Sequence, residues 1–391
     1  MIRIDSKFNI SRIEEAYNVL TNDPDIDIII SKGTSQIDFG LVPAIIQFIC
    51  TWYSKSVTSK LVIDIIDKDE LGEIYKLDFF FPAIVYCWQK IIVDRNNNDL
   101  KPYLRELNDE QHQIMKKQLP GGGPKVSLVC FDHLSIKKGL LNAFYIDDSF
   151  INDEIQFSYA IDRAVKKVLI FNRELTMNNI RPIYTDIIGI IYELMKNTND
   201  WARTDRFNKP INPNTRGLYL KFHKKRRNTY LNGYEKHAGL KDFFSSNNFL
   251  TSDLDELYFI ELSVYDSGVG FVQKFKPEIL NYVNEYDQVN IIKQCLLKNN
   301  TSAVGIEKTK KGKGLDRIMK ILDNKGFLWL RTSNVSIFRN FIQDRYIEND
   351  NYEEITLNDW FTNSSVDFSS LKSVKGSVIT LVYPISNTTH A

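Results

Sequence analysis

The sequence predicts an α/β protein built in two units, and three observations carry that expectation. Near the N-terminus, strand-like and helix-like stretches alternate at the spacing of a βαβ unit. In mid-chain, Tyr184 to Arg203 (YTDIIGIIYELMKNTNDWAR) reads as one amphipathic helix. Beyond it, Leu218–Phe222 and Tyr258–Val264 read as strands, and Phe327–Thr332, Val335–Arg339 and Ser377–Tyr383 read as members of an antiparallel sheet. A length of 391 residues is long for one domain. The 43% hydrophobic and 12% aromatic content is ample for packed cores and excludes a disordered chain.

Taken in order, Asp25 to Ser31 (DIDIIIS) reads as a buried strand, Leu41 to Ser54 as an apolar helix and Leu61 to Ile66 (LVIDII) as a second strand. This spacing predicts a partly parallel sheet. The pattern Ile37-Asp38-Phe39-Gly40-Leu41-Val42 is faintly similar to STAS-type signalling domains. Asp94 to Lys117 is polar and charged, and Leu119-Pro120-Gly121-Gly122-Gly123-Pro124 breaks regular structure. A glycine triplet could cradle phosphate, but the Lys-Ser/Thr that closes a phosphate loop is missing, so the stretch reads as a linker. The boundary between residues 1–124 and residues 125–391 falls there. In the second unit, Lys125–Phe131 reads as a strand, Ile155–Leu175 and Glu278–Asn299 as helical, and Gly314–Asp323 as a helix. Residues 341–375 read as a polar excursion. The basic run His223-Lys224-Lys225-Arg226-Arg227 reads as a solvated loop rather than a phosphate track.

Bulk properties exclude several classes. A net charge of +1 gives no long-range field for nucleic acid. Cys50, Cys87, Cys130 and Cys295 are scattered, without a CxxC pair, which argues against structural zinc and a disulfide framework. The first residues carry charge throughout and lack the apolar core of a signal peptide. The greasiest stretch, Phe79 to Val93, is too short to span a bilayer and contains Gln89 and Lys90. The expectation is a soluble, cytoplasmic protein without a membrane partner.

Three distant segments carry chemistry. On the mid-chain helix, Glu193, Asn197 and Asp200 stand at i, i+4 and i+7, within an arc of roughly 60°. Ile187, Ile190, Ile191 and Leu194 point elsewhere and are free to face a core. A carboxylate and a carboxamide one turn apart can hold a water and a magnesium ion side by side. The bland alternative is the solvated face of a surface helix. Downstream, Asp266-Ser267-Gly268-Val269-Gly270-Phe271 follows an apolar run. Its carboxylate could accept a hydrogen bond from an N–H donor, and its glycines allow a sharp turn; a plain Asp-Ser-Gly turn is the alternative. Last, Lys311-Gly312-Lys313-Gly314-Leu315 opens a helix, whose N-terminal N–H groups suit phosphate.

In this order, the three segments resemble the GHKL ATPases, named for gyrase, the heat-shock chaperones, the histidine kinases and MutL, over roughly residues 155 to 391. The resemblance implies a Bergerat-type α/β sandwich: a mixed, mostly antiparallel sheet covered by helices, with a separate N-terminal α/β domain. It implies ATP and Mg²⁺ as cofactors. Asn197 would ligate the metal, Glu193 would act as general base on water, and Asp200 would face the adenine side. Asp266, Gly268 and Gly270 would hold the base, while Gly312, Gly314 and Leu315 with Lys310, Lys311 and Lys313 would hold the phosphates. Residues 271–313 would include the lid. Ser377 stands where the family has Thr, its hydroxyl available to Asp266 or adenine.

The chain departs from the family in a further respect. It ends just past its last strand, so the lysine that chaperone and gyrase members bring to the γ-phosphate would come from the lid, from a partner, or be absent. The resemblance therefore implies slow ATP hydrolysis coupled through a lid to the N-terminal domain or to a partner, either a second copy or a companion protein. Two alternatives stay open: a histidine or serine protein kinase, and a non-hydrolysing nucleotide sensor. His112, in Asp109-Glu110-Gln111-His112-Gln113, is a weak candidate phospho-acceptor and reads equally well as a solvent-exposed histidine.

Overall fold

A computed structural model describes residues 1–33, 39–118, 123–170, 177–249, 251–278, 283–297, 314–348 and 350–385. The N-terminal stretch runs β1 (Ile2–Ile4), α1 (Ile10–Asn22), β2 (Ile28–Ile30), α2 (Leu41–Lys55), β3 (Lys60–Ile63), α3 (Leu71–Ile74), α4 (Phe80–Tyr86), β4 (Ile91–Val93) and α5 (Lys101–Lys116). Its four strands form a sheet in the order β1-β2-β3-β4, every neighbouring pair parallel. Strands this short and apolar suit a parallel sheet covered on both faces. Asn9 caps α1, its side chain accepting the Arg12 N–H at 3.0 Å.

The rest runs β5 (Lys125–Cys130), α6 (Ile136–Gly139), β6 (Tyr145–Ile146), β7 (Ser149–Phe150), α7 (Glu154–Leu169), α8 (Met177–Trp201), β8 (Arg216–Arg226), α9 (Arg227–Gly233), α10 (Ala238–Ser245), β9 (Glu256–Asp266), α11 (Phe271–Phe275), α12 (Glu285–Leu296), α13 (Gly314–Leu322), β10 (Phe327–Thr332), β11 (Val335–Asn340), β12 (Asn358–Asp359) and β13 (Ser377–Pro384). A seven-stranded antiparallel sheet, ordered β12-β11-β10-β13-β9-β8-β5, forms its backbone. The chain is thus mixed α/β with one large antiparallel sheet. The longest ladder joins β8 to β9, from Arg216↔Asp266 to Arg226↔Glu256.

Both faces of that sheet are covered. Helices α7, α8 and α13 pack together, with α7 and α8 on one face. On the other lies α2, which touches α1 and α4 on one side and β9 and β13 on the other. Its sequence explains the placement: from Leu41 to Trp52 only Val42 escapes full burial, and a helix apolar all round must be covered all round. Polar contacts pin it there. The Gly40 N–H donates to Glu261 Oε1 at 2.9 Å, Gln47 Nε2 to the Arg331 carbonyl at 3.2 Å, and the Lys375 N–H to Thr51 Oγ1 at 2.9 Å. The Arg331 guanidinium, 2% exposed, reaches back to Glu14 of α1 at 2.8 and 3.2 Å.

Two sequence expectations need correction. The basic run is not a loop: His223 to Arg226 complete β8. His223 is buried and lies 2.8 Å from Glu261, so a strand partner competes successfully with solvent for that half of the run. His112 is not solvent-exposed; it sits at 6% exposure on the inner side of α5. Amphipathicity over one helix turns it inward where a local polar context indicated the reverse. The mid-chain helix also begins earlier than its strongest pattern, at Met177, carrying Pro182 inside it. The pattern at Ile37-Asp38 and the break at Leu119–Gly122 lie partly or wholly outside the described residues.

The Glu14–Arg331 pair makes the attachment testable. Removing one partner of a buried pair leaves a charge without its counter-ion, although Arg331 keeps the carbonyls of Ser333, Val335 and Lys372. Glu14→Ala is expected to cost about 2–4 kcal/mol in urea denaturation; a loss below about 1 kcal/mol would show that the pair does not hold the two halves together.

Candidate functional site

A cleft opens between the sheet and α8, α11, α12 and α13, with a cavity volume of about 120 Å³. Its floor is Val264 and Asp266 of β9 with Ser377 and Ile379 of β13. These share a face because Ser377 pairs with Asp266 and Ile379 with Val264. One wall is the inner side of α8, where Leu194, Asn197, Thr198 and Trp201 follow helical spacing. The opposite side brings Phe271, Lys274 and Phe275 of α11 and Cys295 of α12; Gly314 and Leu315 close the end at the start of α13.

Of the residues singled out in the sequence, Asn197, Asp266, Gly270, Gly314, Leu315 and Ser377 line this one cleft. Asn197 is half-buried, and among the described residues its carboxamide has no hydrogen-bond partner. That oxygen is one possible ligand for a hard cation, and among the described residues no group of three or more His, Cys, Asp or Glu stands ready to hold a metal. Gly268 sits behind the lining against Ala202. Asp200 stands off the lining, with its carboxylate 3.8 Å from Lys196 and accepting from the Asn199 amide at 3.1 Å. Lys310, Lys311, Gly312 and Lys313, with residues 298–313 of the expected lid, lie outside the described residues.

Asp266 ends β9 at the cleft floor, where Oδ1 accepts the Gly268 N–H at 2.8 Å. Burial pushes its pKa up to about 6, against the opposing pull of the Gly268 N–H, Arg216 and the Ser377 N–H. The Ser377 hydroxyl does not reach Asp266 as the sequence allowed; it bonds Thr332 Oγ1 at 3.0 Å. The turn after Asp266 requires glycine at position 270, whose φ is +82° and whose missing Cβ would lie 2.7 Å from Thr332 Oγ1.

Glu193 stands one turn from Asn197, beside the mouth rather than on the lining. A Cβ on Gly314 would lie 2.5 Å from Glu193 Oε2, so a larger residue at the start of α13 would displace the end of that carboxylate side chain. Burial raises the Glu193 pKa, while Arg317 pulls it back. Arg317 Nη1 donates to Glu193 at 3.2 Å, and the same guanidinium grips Glu154 at 2.7 and 2.8 Å. Sequence reading missed Arg317; its position three residues after Gly314, on the first turn of the helix, was the available signal.

Two further elements were invisible in the sequence. Arg216, 0% exposed, makes a forked pair with Asp132 at 2.6 and 2.7 Å and donates to the Tyr145 hydroxyl at 2.7 Å. It sits opposite Asp266 in the ladder and braces the cleft from beneath. Lys274 lines the cleft while its ammonium donates to Thr204 Oγ1 at 2.8 Å and the Asp205 carbonyl at 3.2 Å. Among the described residues no helix is long and apolar enough to cross a membrane. Comparison with protein-family models, with curated proteins and with solved structures returns no match.

The raised Asp266 pKa carries a pH signature. The folded chain holds this proton more tightly than the unfolded chain, whose value is near 3.8. The group's favourable contribution is therefore full below that value and lost as pH rises through about 6. Asp266→Asn keeps an oxygen for the Gly268 N–H and removes the charge. At pH 7.5 it should stabilise the fold by about 1–2 kcal/mol, after discounting for partial exposure, and at pH 4 it should be neutral. Urea titrations at the two pH values decide; equal effects at both would contradict the buried-carboxylate assignment.

Proposed function

We propose that the cleft binds an adenine nucleotide with Mg²⁺ and that the chain hydrolyses ATP slowly, as a GHKL-type protein whose Bergerat-like sandwich is the seven-stranded sheet with α7, α8 and α13. One observation carries this reading: Asn197, Asp266 and Gly314–Leu315, 118 residues apart at their extremes, share one cleft lining. A surface-helix origin for Asn197 and a plain turn at Asp266 give no reason for that convergence.

The assigned roles follow from the environment of each group. Asp266, ionised at neutral pH, accepts the exocyclic amine of the base, while Val264 and Ile379 of the floor cover its ring. Asn197 would supply one ligand oxygen to Mg²⁺, which when bound neutralises phosphate charge. The N-terminus of α13 turns its free N–H groups toward the phosphates. Glu193 takes the proton of the attacking water, for which a pKa raised by burial is an advantage. Arg317 positions that carboxylate and holds its pKa down. The pairing of Glu193 with Arg317 also favours slow turnover, and in the limit a nucleotide sensor that does not hydrolyse. Coupling of nucleotide state to α2 and the N-terminal sheet, or to a second copy or companion protein, belongs to the same proposal.

Incubation with γ-labelled ATP separates the readings: free phosphate marks an ATPase, labelled protein a kinase, and neither a sensor. Glu193→Ala is expected to lower phosphate release about 100-fold with nucleotide affinity nearly unchanged; unchanged release sinks the general-base role. Arg317→Ala removes the influence that lowers the Glu193 pKa, so the acid limb of the rate profile should move to higher pH. A shift to lower pH would contradict the positioning role.

A further inference from the structure

A second cavity, of about 760 Å³, lies apart from the cleft. It lies between α4, α5 and the stretch that follows β5, and no residue of the three nucleotide-type segments belongs to it, whereas His112 does. Aromatic side chains stand along it: Phe81, backed edge-on by the buried Phe131 at 5.6 Å, and Tyr53, backed edge-on by the buried Tyr86 at 5.2 Å, with Trp88 beside them. Its rim is basic. Arg105 is exposed and has no ion-pair partner among the described residues, whereas Lys138 is half-satisfied by Asp109 at 2.8 Å. Between rim and interior sits His112, more than nine-tenths buried, whose Nε2 makes no hydrogen bond. A buried polar nitrogen is seldom left unpaired unless something polar reaches it. Burial, with Lys116 and Lys138 nearby, lowers the His112 pKa and keeps the ring neutral at neutral pH.

We propose that this cavity is a binding site for a flat aromatic anion. The ring would lie beside the aromatic side chains, its carboxylate or phosphate at Arg105, with the buried His112 ring beneath the site. Apolar walls with a few convergent polar groups are the usual make-up of a small-molecule site, and the unpaired guanidinium selects the sign of the ligand's charge.

One wall of the cavity is tied to the first cleft. His133 Nδ1 lies 3.2 Å from the Asn214 N–H. The Asn214 side chain donates to the Ala202 carbonyl at 2.9 Å and accepts from Ser267 Oγ at 2.8 Å. Ala202 and Asp266, the neighbour of Ser267, line the cleft. Occupancy of the second cavity should therefore alter affinity in the first, a coupling that rests on the nucleotide reading above.

The probe is 1-anilinonaphthalene-8-sulfonate, itself a flat aromatic anion, titrated by fluorescence onto the full chain. A saturable component is expected that weakens at least tenfold in Arg105→Glu, an exposed position, with the melting temperature unchanged. His112→Leu should weaken the same component; Asp266→Asn should not. Saturable binding indifferent to Arg105→Glu and His112→Leu, or none, overturns the site. Displacement by benzoate or by phenyl phosphate supports it and identifies the anion; equal displacement by uncharged 2-naphthol overturns the anion preference. For the coupling, saturating competitor should shift Mg·ATP affinity at least threefold in the wild type and not in Arg105→Glu. An unshifted affinity overturns the coupling. Failure of ATP to bind at all overturns the coupling together with the nucleotide reading, while the fluorescence result stands by itself.

Discussion

Strands β9 and β13 bury both of their faces, so the two-residue period of the pleat decides what each side chain can serve. Leu262, Val264 and Asp266 turn toward α8, together with their ladder partners Leu381, Ile379 and Ser377. Glu261, Ser263 and Tyr265 turn the other way, toward α2. There Glu261 accepts the Gly40 N–H and pairs with His223, and Ser263 shares a hydrogen bond of 2.9 Å with Thr380. One strand therefore carries the floor of the cleft and the seat of the N-terminal sheet on alternate residues. A slip of one position would exchange them. That is a physical route by which events in the cleft could reach α2 without any intervening loop.

The cleft is also where the chain tolerates its least comfortable charges. Arg216 is fully buried and is offset by Asp132 and the Tyr145 hydroxyl, an arrangement that costs heavily if one partner is lost. Asp266 and Glu193 both have pKa values raised by burial. Perturbed carboxylates in a concave site are a recognised mark of function. Here the perturbation comes from the same packing that shapes the cavity, and the Arg317 guanidinium, shared between Glu154 and Glu193, limits it at one end.

Much of this was legible in the sequence where the signal was local and periodic. The i, i+4 spacing of Glu193 and Asn197 survives because a helix fixes it, and the Asp266 turn survives because Gly270 needs a positive φ. The apolar run of α2 was visible, but not its burial between two sheets, since composition does not say what covers a helix. Long-range partners left no trace: Asp132 and Arg216 are 84 residues apart, and Arg317 and Glu154 are 163 apart. His223 misled because a run of basic residues looks solvated, while alternation on β8 sends that one ring inward against Phe39 and Glu261.

The proposed nucleotide site requires three distant segments to meet around one ligand. The most direct test is a calorimetric titration of the full chain with a non-hydrolysable ATP analogue, with and without magnesium. Saturable binding near one site per chain, tightened at least tenfold by magnesium in the wild type and insensitive to magnesium in Asn197→Ala, is the expected result. No heat at millimolar analogue, or the same magnesium effect in both proteins, would contradict it.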